Sequence, residues 1–250
     1  MTLPKILTST KVALFLDFDG TLVEIAEHPE AVVLGDATRR ALGVLSEKLD
    51  GALAIVTGRE IEAIDRFLAP LRLPVAGVHG LARRDATGRL LPAPDTCEFV
   101  ALAAERLQLL VNAEAGLLLE RKTGSLALHY RARPELEGAC LTAFESAVDG
   151  APGIELKRGK MVLEAKPAGA DKGTALVDFM SEHPFLDRTP VFAGDDATDE
   201  DAFRQVNSLQ GISIKVGKGP TLAQYRTSDT AEFLCWLEQS AQRLGAEGII

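Results

Sequence analysis

Cysteine is scarce. The 250-residue sequence has three, Cys97, Cys140 and Cys235, none in a C-x-x-C pair and all in stretches of helical character. That pattern excludes a disulfide framework and a cysteine-based zinc site, and it fits a reducing compartment. Long hydrophobic runs are missing as well. None approaches the roughly 18 residues of a membrane span, and the N-terminal run Val12–Leu16 is too short for a signal-peptide core. The expectation is a soluble, cytoplasmic protein with no membrane partner. Positive charge is in deficit: 27 Lys and Arg stand against 36 Asp and Glu, a net charge of −9. Such a surface repels nucleic acid and anionic lipid on average, although a local site can still oppose the net sign and take an anion. No internal repeat or low-complexity segment occurs. Neither G-x-x-x-x-G-K-[ST], H-E-x-x-H nor G-x-S-x-G is present, and the four histidines are scattered. P-loop nucleotide enzymes, zinc proteases and serine hydrolases of those signatures are therefore unsupported.

What the sequence does contain is a series of short apolar runs that end in small or acidic residues: Val12–Leu16, Ala52–Val56, Val75–Val78, Val191–Ala193 and Ile212–Val216. Continuous rather than alternating runs suit strands buried on both faces. Helical spacing lies between them, in Ala41, Leu42, Leu45 and Leu49, in Ile61, Ile64 and Leu68, and in Ala202, Phe203 and Val206. Strand–helix alternation predicts an α/β fold with a parallel sheet, whose ligands bind beyond the carboxyl ends of the strands. The middle of the chain differs. Phe99, Leu102, Ala103 and Leu110 mark a long helix, and Leu126, Leu128 and Tyr130 alternate with Ala127, His129 and Arg131. A helix with Leu136, Cys140, Phe144 and Ala147 follows, then strands at Ile154–Lys157 and Met161–Ala165 joined at Arg158-Gly159. This reads as an α-β-α-β-β unit spanning residues 93–165, inserted into a core made of 1–92 and 166–250, with hinges at 91–94 and at Lys166-Pro167.

The chemistry gathers at strand ends. Asp17 and Asp19 lie two apart after a buried strand, where charge costs too much to be kept for packing alone. Gly20 lets the chain turn away, and Thr21 adds a hydroxyl. Paired carboxylates hold a hard cation, most simply Mg²⁺, and one of them can act as a nucleophile. A plain β-turn uses the same residue types. Gly194-Asp195-Asp196-Ala197-Thr198-Asp199-Glu200 follows a second strand. Asp195 and Asp196 read as a metal ligand and its support, whereas Asp199 and Glu200 read as ordinary acids at a helix N-terminus. Thr57-Gly58 offers a hydroxyl and an amide to a phosphate oxygen, and Lys172, at the start of a helix, offsets phosphate charge. Taken singly, Thr57 reads as a helix N-cap and Lys172 as a surface lysine. All of them fall at carboxyl ends of strands or in the loops that follow, so they can converge on one crevice.

In order and spacing, Asp17-Phe18-Asp19-Gly20-Thr21, Thr57, Lys172 and Asp195-Asp196 resemble the four motifs of the haloacid-dehalogenase-like phosphatases. The insertion is similar to their C2-type cap. The resemblance implies a Rossmann-like parallel-sheet core with an inserted α+β cap. It makes Asp17 the nucleophile, Asp19 the general acid and base, and Thr57 and Lys172 the holders of the phosphoryl oxygens, with Gly20, Thr21 and Gly58 as further substrate contacts. Mg²⁺ would sit on Asp17, the main-chain carbonyl of Asp19, and Asp195, with Asp196 in support. Gly77-Val78-His79-Gly80, Ala127-Leu128-His129-Tyr130-Arg131, Gly159-Lys160-Met161-Val162-Leu163-Glu164 and Gly194–Glu200 resemble, more closely, the trehalose-6-phosphate phosphatases, from about Leu14 to Trp236. That implies trehalose 6-phosphate as substrate, with Lys160 and Glu164 on the distal glucose and Arg131 as a weaker candidate. On spacing alone, Lys160 and Glu164 share one strand face with Val162 and equally suit a surface ion pair. Two positions depart from that family: Ala82 stands where it commonly has Glu, and Asp171 where it often has Asn or Ser. Sucrose phosphate, mannosyl-phosphoglycerate or hexose phosphates remain alternative substrates. A non-catalytic sugar-phosphate sensor also remains, although a pure binder has no need of the second acid, Asp19. Oligomeric state is open, and a monomer is compatible with the sequence.

Overall fold

A computed structural model describes residues 3–5, 7–26, 31–91, 97–122, 124–151, 153–159 and 161–246. The chain divides into two compact units, Met1–Leu91 with Asp171–Ile250, and Pro92–Ala170. The larger unit opens with β1 (Val12–Leu16), α1 (Asp36–Lys48), β2 (Leu53–Val56), α2 (Ile61–Leu68), β3 (Val75–Gly77), β4 (Ala82–Arg84) and β5 (Leu90–Leu91). The smaller unit holds α3 (Cys97–Ala113), β6 (Leu118–Lys122), β7 (Ser125–His129), α4 (Glu137–Val148), β8 (Ile154–Gly159) and β9 (Val162–Pro167). The chain then returns to the larger unit with α5 (Lys172–Met180), β10 (Thr189–Gly194), α6 (Asp199–Ser208), β11 (Ile212–Val216), β12 (Tyr225–Thr227) and α7 (Thr230–Ala246). No helix among the described residues is long and apolar enough to cross a membrane.

The larger unit is an α/β fold whose sheet runs β12-β11-β10-β1-β2-β3-β4-β5, parallel except that β4 runs antiparallel to both its neighbours. The first strands grow outward from β1 in one direction, and β10, β11 and β12 grow in the other. The order therefore reverses between β1 and β10, and a crevice opens at the carboxyl ends of strands on either side of such a reversal. Phe15 packs against Phe185 and Phe179 with ring centroids 5.3 and 6.0 Å apart, which ties β1 to α5. Phe192 meets Phe203 edge-on at 5.5 Å and ties β10 to α6. Contacts of this kind contribute about 0.5–1.5 kcal/mol each beyond burial, and they set the starts of α5 and α6 near the crevice.

In the smaller unit α3 and α4 cover one face of an antiparallel sheet ordered β6-β7-β9-β8. Its element order is α-β-β-α-β-β, one strand more than expected. The missed strand, β6, reads Leu-Leu-Glu-Arg-Lys and carries no alternation of apolar and polar residues. Gly159 pairs with Val162, so β8 runs two residues further than expected and the hairpin turns after it. Lys166 and Pro167, expected as a hinge, pair instead with Glu155 and Ile154 inside β9, and the smaller unit extends to Ala170. Most of the expected hinge at 91–94 lies outside the described residues. On α3 the buried face is Val100, Ala103, Ala104 and Leu107, while Phe99 and Leu102, two of the expected markers, are exposed. Apolar residues occupy both sides of that helix, so periodicity alone could not choose the face.

Candidate active site

The site is built where β1 and β10 end side by side. The Asp17 amide continues their ladder by donating to the Ala193 carbonyl at 3.0 Å. Beyond it the chain turns at once: the Phe18 carbonyl accepts from Leu22 and Val23, and Gly20 adopts φ +75°. Two conditions select glycine there. The positive φ disfavours any side chain, and a Cβ would lie 2.1 Å from Asp195 Oδ2. Thr230 Oγ1 pins the turn by donating to the Gly20 carbonyl at 2.8 Å. Gly20 and Asp195 border a cavity of about 380 Å³ whose lining includes Glu24, Lys218, Asp229 and Thr230.

Asp17 is almost wholly buried and meets Lys172, whose Nζ donates to Asp17 Oδ1 and to Asp199 Oδ1, both at 2.7 Å. Lys172 is the first residue of α5. Asp171 caps that helix reciprocally with Thr174, so the departure to Asp at this position keeps a complete capping box. Gly173 lets α5 come close to α6, since a Cβ there would lie 2.6 Å from the Asp201 carbonyl.

Asp199 corrects the sequence reading. It does open α6, but its carboxylate is fully buried, holds Lys172, and accepts from the Asp196 amide at 2.9 Å. A dipole role predicts a solvated side chain, and this one is packed beneath Gly194, where a Cβ would lie 2.3 Å from Asp199 Cγ. One carboxylate oxygen each from Asp17, Asp195 and Asp199 can be chosen so that all lie within 4.8 Å of one another, close enough to hold a metal ion. Asp196 stands outside that group and accepts from the Thr198 amide and hydroxyl, both at 2.7 Å.

The remaining expected residues fall in three places. Thr57, at the end of β2, is buried, and its hydroxyl accepts from the Arg59 amide at 3.2 Å. Gly58 makes room for the His79 ring, which would lie 2.7 Å from a Cβ there. Asp19 is gripped by Arg59 through Nε and Nη2, each at 2.6 Å. The guanidinium also lies 5.5 and 5.0 Å from the Phe18 and Phe67 ring centroids, a stacked and bidentate geometry that lysine could not reproduce. Sequence reasoning passed over Arg59, although its place directly after Thr57-Gly58 was a usable signal. Thr21, expected to touch substrate, is fully enclosed at 0% exposure, and its hydroxyl has no hydrogen-bond partner among the described residues. In the smaller unit, Arg131 is exposed, and Glu164 lies on β9 between Ala127 and Lys157 of the neighbouring strands. Lys160 lies outside the described residues.

Crowding four acids together, with Asp17 and Asp199 buried, Asp195 half-buried and Asp196 the most open, shifts their titration. Burial pushes Asp17 up to about 6 against the pull of Lys172. Burial, then the charges of Asp199 and Asp196, raise Asp195 to about 6. Burial and the charge of Asp17 raise Asp199 to about 7. Burial opposes ionisation of Asp196 too, but the Lys172 charge and the Thr198 hydrogen bonds hold it below its usual value. Burial would lower Lys172, yet Asp17 and Asp199 outweigh it and hold the ammonium well above the ordinary lysine range. A carboxyl with a raised folded-state pKa contributes stability that is full below its unfolded value of about 3.9 and is lost as pH rises through the folded one. Three such groups lose theirs progressively from about pH 4, where the unfolded carboxyls ionise, to about pH 8. In chelator, the thermal unfolding midpoint is therefore expected to fall across that range. A midpoint that rises instead would contradict the burial account.

Comparison with known proteins agrees with this geometry. Residues 15–232 match the family model described as trehalose-phosphatase. The trehalose-6-phosphate phosphatase of Escherichia coli K12 is 42% identical over 235 residues, covering 92% of this chain and 86% of that one. A probable trehalose-phosphate phosphatase of Sinorhizobium fredii is 44% identical over 206 residues, covering 82% and 77%. Among solved structures, a trehalose-6-phosphate phosphatase related protein superposes with a TM-score of 0.74 at 30% identity, covering 94% of this chain and 99% of that one.

Proposed function

The chain belongs to the trehalose-phosphatase family and is a phosphoric monoester hydrolase, and from that premise we propose that it hydrolyses trehalose 6-phosphate through an aspartyl-phosphate on Asp17. The observation that carries the reading is the asymmetry of the Asp17 carboxylate. Lys172 holds Oδ1, while Oδ2 accepts no hydrogen bond among the described residues. Oδ2 is the oxygen that attacks phosphorus. As the new O–P bond forms, the bond from phosphorus to the sugar oxygen breaks, and Asp19 gives that oxygen a proton. Water then attacks the phosphorus of the acyl phosphate, Asp19 takes a proton from that water, and phosphate leaves with the Asp17 carboxylate restored. Both Asp19 oxygens are held by Arg59, so the pair must open for either transfer. The incoming phosphate gives the guanidinium another anion to grip.

The acid cluster suits a hard divalent ion, because its donors are carboxylate oxygens within 4.8 Å of one another. Asp17, the Asp19 carbonyl and Asp195 would hold such an ion, Mg²⁺ in the simplest case, which would supply positive charge against that building on the transferring phosphoryl group. Asp199 has both oxygens engaged, by Lys172 and the Asp196 amide, and its part is to orient Lys172. Asp196 shapes the loop that carries Asp195. Thr57 and Gly58 receive a phosphoryl oxygen, and Lys172 offsets its charge. Arg131, Lys160 and Glu164 of the smaller unit, which serves as the cap, recognise the sugar.

The test is phosphate release from trehalose 6-phosphate, sucrose 6-phosphate and glucose 6-phosphate, each with Mg²⁺ or with chelator. Release is expected from trehalose 6-phosphate with Mg²⁺ and at least about tenfold more slowly from the other two, the size of effect a few sugar contacts supply. Equal release from all three would keep the core chemistry and reject the sugar reading. Tight binding without release would make the protein a sensor.

A further inference from the structure

Lys215 plays no part in the mechanism above, and the sequence hides it inside the apolar run of β11. It is 4% exposed, lies between the fully buried Ile214 and the nearly buried Val216, and pairs with Gly194 of β10. Its ammonium donates to the main-chain carbonyl of Asp195. A buried ammonium is expensive unless its charge is answered nearby, and one carbonyl oxygen carries no net charge. The answer lies in the acid cluster. The buried Asp17 and Asp199, the half-buried Asp195, whose carboxylate feels the Lys215 charge, and the exposed Asp196 beside them bring four negative charges when ionised, and Lys172 returns one. The Asp19–Arg59 pair is neutral by itself. With Lys172 alone, a divalent ion would leave the site at −1, facing an anionic phosphate. With Lys215 counted, the cluster stands at −2 and one divalent ion closes it to zero.

We propose that Lys215 is a positioning residue that also sets the charge of the site: it fixes the Asp195 peptide and supplies the second buried cation that lets one divalent ion neutralise the four carboxylates. This rests on the phosphatase reading for its purpose, but not for its measurement. Lys215 weakens metal binding somewhat, and in return the loaded site admits a phosphate dianion. A merely structural lysine would behave in the opposite way, since its removal would loosen the loop and the metal together.

The experiment titrates full-length protein with Mn²⁺ at pH 8, following free Mn²⁺ by electron paramagnetic resonance, for wild type, Lys215→Met, Lys215→Gln and Lys215→Arg. Steady-state kinetics on trehalose 6-phosphate run beside it. Lys215→Met and Lys215→Gln are expected to bind Mn²⁺ about tenfold more tightly and to raise KM about tenfold, the scale of one unit charge acting across a partly screened interior. Lys215→Arg keeps the charge and is expected to stay near wild type in both. Gln retains a donor for the Asp195 carbonyl, so it reports on charge even where Met disturbs the fold. Unchanged or weaker Mn²⁺ binding in a folded Met or Gln variant overturns the proposal. Because Mn²⁺ binding is read without turnover, a wild type inactive on this substrate would count against the phosphatase reading and leave the Lys215 result intact.

Discussion

Asp17→Asn is expected to lower kcat by about 10⁴-fold or more, the scale seen when a nucleophile that acts with its partners is removed, and to leave the fold standing. Both halves follow from the site. An amide in place of the free Oδ2 cannot form the phosphoryl ester, and no neighbouring carboxylate replaces it: Asp199 is bonded at both oxygens and fully buried. Stability is a separate matter. Burial raises Asp17 to about 6, so its environment resists the charge that Asn removes. Lys172 keeps its 2.7 Å bond to Asp199. The unfolding midpoint at pH 8 should therefore hold or rise. The measurements are phosphate release and thermal unfolding on the same preparation. An Asn variant that retains even a hundredth of wild-type turnover would remove Asp17 from the nucleophile's role.

Lys172→Met is expected to act on stability as much as on rate. It takes away the cation that two buried carboxylates share, while Met fills most of the space. Removing one partner of a buried ionic network costs about 3–5 kcal/mol, because the remaining charge is left uncompensated. The cost should be largest at pH 8 and smaller at pH 5, where Asp17 and Asp199, already raised to about 6 and about 7 with the lysine present, escape by taking up protons. Urea unfolding at the two pH values measures this. A loss below about 1 kcal/mol at pH 8 would mean that water reaches the cluster and that the network is not buried in the sense argued. Activity should fall with either result, since Lys172 also offsets phosphoryl charge.

Much of the site was legible because its signals are local. Acids directly after buried apolar runs stand out, and so Asp17, Asp19, Asp195 and Asp196 could be named from the sequence. Lys172, at an Asp-Lys-Gly helix start, reads alone as a surface lysine and drew attention only together with the other strand-end residues. Asp199, Arg59 and Lys215 were harder for different reasons. An acid at a helix N-terminus already has a sufficient local explanation, which concealed the buried role of Asp199. Arg59 follows a recognisable Thr-Gly pair, but its attachment to Asp19 spans 40 positions of sequence. Lys215 sits in a run that reads simply as a strand. In the smaller unit, β6 escaped because it does not alternate, and the extra length of β8 moved the hairpin turn onto a stretch expected to be strand.

By itself, the sequence determined the class of the fold and the identity of the chemistry. Apolar runs of three to five residues separated by helical periods admit little besides a parallel α/β sheet, and an acid pair after the first strand marks where the chemistry gathers. The tertiary structure decided which charges meet. Lys172 bonds to Asp17 across 155 positions and to Asp199 across 27, and both contacts exist because the strand order reverses between β1 and β10. It also decided burial, and burial raises Asp17, Asp195 and Asp199 to about 6, about 6 and about 7, so that the cluster demands cations. Local propensity and periodicity depend on neighbours within a few residues, whereas the energy of a buried charge depends on what surrounds it in space.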